Sequence, residues 1–209
     1  MEKLLEYLKT VYKDGEPIFL SDIKIEGVSY DTLKHQIKEL CDRDKLKRFD
    51  KGIYYLPKKT ILKSGFHLSP DEVADYKYIS RFKNVMGYYS GLTFANAIGV
   101  TTQVPVKQEI VTNETTALVK DIKIKNLKYK VRKSKTHIDK DNVQILQLLD
   151  FIKDMDYLCD EENENNYVYI SDYIKKIKVK RKDVDKYISL FPTRIYKNIY
   201  EMRLDNVFA

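Results

Sequence analysis

The chain has 209 residues, enough for one large domain or two modest ones, each able to bury a core. Its 38 Lys and Arg against 31 Asp and Glu give a net charge of +7, which favours a polyanionic partner without requiring one. The two cysteines, Cys41 and Cys159, are too few and too far apart for a disulfide framework, and no apolar run approaches a membrane span. The expected setting is the reducing cytoplasm, with no membrane partner, because the N-terminus reads as an amphipathic helix rather than a signal peptide.

Met1 to Lys13 reads as a first helix with Leu4, Leu5, Leu8, Val11 and Tyr12 inward. Gly15-Glu16-Pro17 breaks it, and a short turn from Ser21 to Ile25 ends at Gly27. Ser29 is a good N-cap for a second long helix, in which Leu33, Ile37, Leu40 and Cys41 repeat at helical spacing. The opposite face carries Asp31, His35, Lys38 and Asp42. Lys45 to Leu56 then reads as two β-prone runs around an Asp50-Lys51-Gly52 turn.

That order predicts a winged helix-turn-helix domain. In such a module the second helix offers its N-terminal residues to the major groove of duplex DNA, and a cationic hairpin adds phosphate contacts. The candidate groove-facing residues are Ser29, Asp31, Thr32, Lys34, His35 and Lys38, and the candidate phosphate contacts are Lys45, Lys47, Arg48 and Lys51. The competing reading is an ordinary solvated helix face beside a charged hairpin.

The first domain is expected to span residues 1–63, ending near Pro57-Lys58-Lys59 with a linker through Ser64-Gly65; the second spans residues 64–209. Ser69-Pro70-Asp71-Glu72 is a helix start, with a run expected to about Phe82. A further helix is expected from Tyr88 or Ser90 to Ile98, closed by Gly99. Val106 to Thr112, Leu118 to Lys125 and Leu127 to Lys133 alternate as strands. In the last two, Ile122, Ile124, Tyr129 and Val131 form an apolar face and Lys123, Lys125, Lys128, Lys130 and Arg132 a cationic one. Asn142 to about Leu158 reads as one long amphipathic helix, followed by a mobile acidic loop from Asp160 to Asn166. Short helices follow over Tyr169 to Ile177, Lys182 to Leu190 and Thr193 to Met202. The predicted class is α+β: a winged-helix N-terminus, then a domain with a small, largely antiparallel sheet and C-terminal helices.

The run Gly87-Tyr88-Tyr89-Ser90-Gly91-Leu92-Thr93-Phe94-Ala95-Asn96-Ala97-Ile98-Gly99-Val100-Thr101-Thr102-Gln103-Val104-Pro105, with Ile110-Val111-Thr112-Asn113 after it, resembles the abortive-infection AbiEi-like antitoxins. The resemblance covers roughly residues 1–133 and implies a bifunctional regulator. The N-terminal domain would bind inverted repeats upstream of its own operon and repress it. The C-terminal domain would counteract a cognate nucleotidyltransferase-type toxin, as in type IV toxin–antitoxin systems, without necessarily forming a stable complex. The cationic strand face, Lys123, Lys125, Lys128, Lys130 and Arg132, is the candidate antitoxin or nucleic-acid surface, with solvated lysines as its bland counterpart.

No cofactor or enzyme activity is expected. His35, His67 and His137 lack Cys or carboxylates at metal-ligand spacing, and Gly87, Gly91 and Gly99 are wrongly spaced for a phosphate loop. Two alternatives stay open: a stand-alone transcriptional regulator whose C-terminal domain senses a ligand or dimerises, and a metal-dependent nuclease built on Glu109 and Asp121-Ile122-Lys123.

Overall fold

The computed structural model describes residues 2–61, 65–160 and 163–208. Met1, residues 62–64, Glu161, Glu162 and Ala209 lie outside the described residues, and the linker expected through Ser64-Gly65 falls partly on them. The protein is mixed α+β and divides into two units, Met1–Tyr76 and Lys77–Ala209. None of its described helices is long and apolar enough to cross a membrane.

In the first unit, α1 (Glu2–Val11) buries Leu4 and Leu8, while Val11, expected inward, is 36% exposed because it lies on the last turn. The chain then forms β1 (Ile18–Phe19) and a 3₁₀ turn, Leu20–Asp22. Helix α2 (Tyr30–Asp42) starts where the sequence places it: the Ser29 hydroxyl accepts from the Thr32 N–H at 3.2 Å. Leu33, Ile37 and Leu40 are buried on its inner face, with Cys41 half-buried beside them. Asp44, at φ 55°, reverses the chain into β2 (Lys47–Asp50), which turns through Lys51-Gly52 into β3 (Ile53–Tyr55). The sheet order is β1-β3-β2, all antiparallel, with a register shift between Arg48 and Asp50. The β1 strand was not legible as such, since two residues carry no period and gain strand form only by pairing Ile18 with Tyr54 and Phe19 with Ile53.

Ser69 and Glu72 form a capping box on α3 (Pro70–Ala74). A π-helical stretch, Asp75–Ile79, continues it, and the two units divide inside that stretch. The helix expected to reach Phe82 stops short, because Phe82 and Lys83 both take positive φ, 50° and 68°, as the turn between β4 (Ser80–Arg81) and β5 (Asn84–Val85).

In the second unit, Tyr88 and Tyr89 are strand rather than helix: β6 (Gly87–Ser90) pairs antiparallel with β7 (Gln108–Thr112). Gly91, at φ 58°, turns the chain from that strand into α4 (Gly91–Ala97). With β8 (Val119–Ile124) and β9 (Leu127–Lys133) the sheet runs β6-β7-β9-β8. It is largely antiparallel, as expected, with one parallel pair: β7 and β9 are parallel neighbours, and β8 closes the outer edge as a hairpin.

The expected long helix is two: α5 (Val143–Ile152) and α6 (Met155–Leu158). Asp154, at φ −120°, leaves the helical region between them. Nor is α5 amphipathic; residues from Ile145 to Ile152 are buried apart from Gln147, which makes it the central rod of the unit. Helices α7 (Asn166–Ile177), α8 (Arg181–Tyr187) and α9 (Arg194–Glu201) follow, with Pro192 before the last. Tyr88, Phe94, Val111, Leu149, Ile170 and Ile195 share one core with α5. Asp160, expected in a mobile loop, is instead tied to the chain: the Thr101 hydroxyl donates to it at 2.7 Å and the Thr102 N–H at 2.8 Å.

Candidate functional site

The outer face of α2 gathers most of the expected groove residues. Asp31, Thr32, Lys34, His35 and Lys38 are all exposed, as are Lys45, Lys47, Arg48 and Lys51 of the segment that follows. Ser29 is exposed too, but its hydroxyl is committed to the cap, accepting from the Thr32 N–H and lying 2.8 Å from the Thr32 hydroxyl. Lys34 is folded back along its own helix, 3.4 Å from Asp31 and 4.3 Å above the Tyr30 ring. Lys47 pairs with Asp44, and that hydrogen bond holds the Asp44 carboxyl below its ordinary range and raises the Lys47 ammonium. Arg48 Nε donates to the Asp50 carbonyl at 3.3 Å, and the Lys51 N–H to the Asp50 carboxylate at 2.7 Å.

These contacts are short-range and solvent-exposed, and such pairs add little to stability. They position the cations without locking them. Sequence reasoning missed Tyr30, which is 55% exposed in the first turn of α2. Its signal was available: an aromatic at the first helical position, off the apolar stripe.

The second unit separates the five residues of the expected cationic strand face. Lys123, Lys125 and Lys128 stand exposed at the β8–β9 hairpin. Lys130 is half-buried, 3.4 Å from Glu109. Arg132 leaves the group altogether. Cross-strand register sets Tyr88, Val111 and Arg132 side by side, and this is the face that α5 covers.

There Arg132 Nη2 donates to Asp150 at 2.7 Å and to the Ser90 hydroxyl at 2.8 Å, and Ser90 donates in turn to the same carboxylate. Lys153 Nζ lies 3.0 Å from the other Asp150 oxygen and also binds Asp154, which receives Arg194. Glu109 lies 3.6 Å from Arg132 Nε. Burial alone would raise the Asp150 carboxyl, yet Arg132, Lys153 and the Ser90 hydroxyl outweigh it and hold the acid below its ordinary range. Burial and the Asp150 charge push the neighbouring Tyr88 hydroxyl well up.

This network explains two features of the Tyr-Tyr-Ser-Gly run. Ser90 carries the hydroxyl that completes the Asp150 shell, and Gly87 allows backbone to approach backbone: a Cβ there would stand 2.1 Å from the Tyr78 carbonyl oxygen and 2.7 Å from that of Val111. Asp150 was missed by sequence reasoning, although a lone carboxylate inside Ile145-Leu146-Gln147-Leu148-Leu149-Asp150-Phe151-Ile152 is itself a signal.

Glu109 and Asp121, the carboxylates of the nuclease alternative, sit on β7 and β8 with β9 between them. Each faces cations: Glu109 has Lys130 and Arg132, and Asp121 has Lys107. Among the described residues no group of three or more His, Cys, Asp or Glu side chains is gathered as a metal site. Both cysteines are free thiols. Cys159 is pushed up to about 11 by burial and by the charges of Asp156 and Asp160.

In comparison with known proteins, the model of a protein family whose function is unknown matches residues 3–184. No curated protein matches the chain.

Proposed function

The chain belongs to that family, DUF6088, and we propose that it is a DNA-binding regulator that represses its own operon and acts as the antitoxin to a nucleotidyltransferase-type toxin. The observation that carries the DNA-binding half is the first unit's order, α1-β1-α2-β2-β3, with sheet order β1-β3-β2 and an exposed cationic strip shared by α2 and its hairpin. That order supports a winged helix, in which α2 is the recognition helix and β2–β3 the wing. Lys38, Lys45 and Lys51 are exposed and, among the described residues, pair with no carboxylate, and the partners of Lys47 and Arg48 are themselves exposed. Phosphates can displace such contacts at little expense.

The antitoxin half rests on the resemblance of residues 87–113 to AbiEi-like proteins. The toxin is counteracted through the second unit, and Lys123, Lys125 and Lys128 are its exposed cations at the β8–β9 hairpin. A stand-alone regulator with a ligand-sensing or dimerising second unit is the other reading, favoured by the open groove beside α7.

The test is a footprint and a salt titration on the protein's own upstream region, repeated in cells with and without a neighbouring nucleotidyltransferase gene. Lys47→Ala and Arg48→Ala are expected to weaken binding to all duplexes and to lower the salt slope by about 0.9 per lost phosphate contact. Lys34→Ala is expected to affect the operator more than random DNA. Absence of a footprint refutes the regulator, and unrelieved growth arrest when the toxin is co-expressed refutes the antitoxin.

A further inference from the structure

Beside α7 an open groove of about 520 Å³ is lined by Tyr89, Thr93, Ile98, Gln147, Tyr169 and Tyr173, within the roughly 300–1,000 Å³ of small-ligand sites. Four of its ten lining residues, Tyr89, Phe94, Tyr169 and Tyr173, are aromatic. Tyr169 is 40% exposed, and its ring lies about 4 Å from where a Gly99 Cβ would stand, an ordinary packing distance that sets the ring against the α4 terminus. Tyr173 is fixed as the floor: its hydroxyl donates to Gln147 Oε1 at 3.1 Å, while Gln147 Nε2 donates to the Tyr89 carbonyl at 2.8 Å. The rim carries Lys176 and Asp172, and Asp172 is already 3.8 Å from Lys175.

Lys176 belongs to the densest cationic stretch of the chain. Lys175, Lys176, Lys178, Lys180, Arg181 and Lys182 fall within eight consecutive residues, and all are exposed. Two of these suit their own helix, since Lys175 and Lys176 sit at the C-terminal, negative end of α7. Lys180, Arg181 and Lys182 do not: they crowd the start of α8, where the helix dipole disfavours cations. Two carboxylates answer part of this charge: Asp183 accepts from the Lys180 backbone N–H at 3.2 Å, and Asp185 lies 3.2 Å from Arg181 Nε. The turn still keeps an excess of exposed positive charge, which suits a polyanion.

We propose that the α7 groove and the basic turn after it form a site for single-stranded nucleic acid, one base stacking on Tyr169 and the flanking phosphates lying on Lys176 and the cations of the turn. Exposed ring faces beside exposed cations are the combination that single strands recognise. A duplex cannot use the ring, because its bases already stack on both faces. An acidic protein surface would use the cations but would leave the aromatic wall without purpose. The site is in the second unit and does not depend on the duplex-binding reading of the first.

The experiment is fluorescence anisotropy with the full chain and labelled oligo-uridine and oligo-thymidine of about 12 nucleotides, at roughly 50 mM salt. Both are expected to bind, and their ratio tells RNA from DNA as the preferred strand. Tyr169→Ala should weaken binding about 5- to 100-fold and Tyr169→Phe should stay within about twofold, because the stacking face is kept. Lys176→Ala should lower the salt slope by about 0.7. Lys47→Ala, in the first unit, should leave oligonucleotide affinity unchanged; if it abolishes it, the strand is bound by the first unit and the proposal falls. It also falls if neither oligonucleotide binds, if Tyr169→Ala binds like the parent, or if a poly-glutamate peptide competes as well as the oligonucleotide.

Discussion

Replacing Asp150 by Asn tests whether the charged network under α5 holds the second unit together. The substitution keeps volume and removes one negative charge from a side chain that is 3% exposed. Arg132, with its side chain 21% exposed, and Lys153, at 11%, would then lack their shared partner. Removing one member of a buried pair costs about 3–5 kcal/mol. Arg132 would keep Glu109 at 3.6 Å and Lys153 would keep Asp154, so the lower end applies: about 3 kcal/mol, or roughly 100-fold in an opening equilibrium. Amide hydrogen exchange of peptides from α5 and β9 reads that opening locally, which matters in a chain of two units. The expected result is roughly 100-fold faster exchange. The double change Asp150→Leu with Arg132→Met should recover most of the loss, since an apolar pair replaces an ionic one at near-neutral cost. Exchange in Asp150→Asn within about threefold of the parent, or a double substitution as damaging as the two singles summed, would refute the reasoning. The pH dependence has a fixed sign. The folded Asp150 carboxyl is lowered, so its contribution is full above the ordinary aspartate pKa of about 3.9 and is lost only as pH falls below that through the folded value.

Gly87→Ala should destabilise the second unit by about 3 kcal/mol, because two backbone oxygens would have to retreat from the new methyl; an unchanged melting temperature would show that β6 and β7 can separate there freely. Cys159, pushed up to about 11 by burial and two aspartates, should react with iodoacetamide near pH 8 roughly 100-fold more slowly than a free cysteine and accelerate steeply with pH. Labelling at the free-cysteine rate would contradict its placement. Ser29→Ala should remove the α2 cap at a cost of about 1 kcal/mol, read by thermal unfolding of the first unit, and no change would mean that Thr32 finds another acceptor.

Short-range signals in the sequence were decisive where the determinant lies within one turn or one strand. Ser29 and Ser69 mark their helix starts by bonding the third residue on, and Leu33, Ile37 and Leu40 face inward because 3.6-residue spacing leaves them no other side. Strand β9 runs from Leu127 to Lys133, as alternation alone predicts. Alternation also separates two faces of β9 correctly, but it cannot say what covers them. Arg132 alternates with Val131 like any solvated cation and ends up beneath α5 because the register puts it beside Val111. Its partners come from 18 and 42 residues away, Asp150 and Ser90. Packing, not pattern, selects such partners, since desolvating a guanidinium is tolerable only where a carboxylate is desolvated with it. The same holds for β1, two residues long, and for the α7 groove, whose aromatic walls come from segments far apart in the chain. What the residues specified locally was which elements form and which side of each is apolar; which charges were to be buried together was left to the tertiary structure, because that depends on the free energy of contacts no single segment can make.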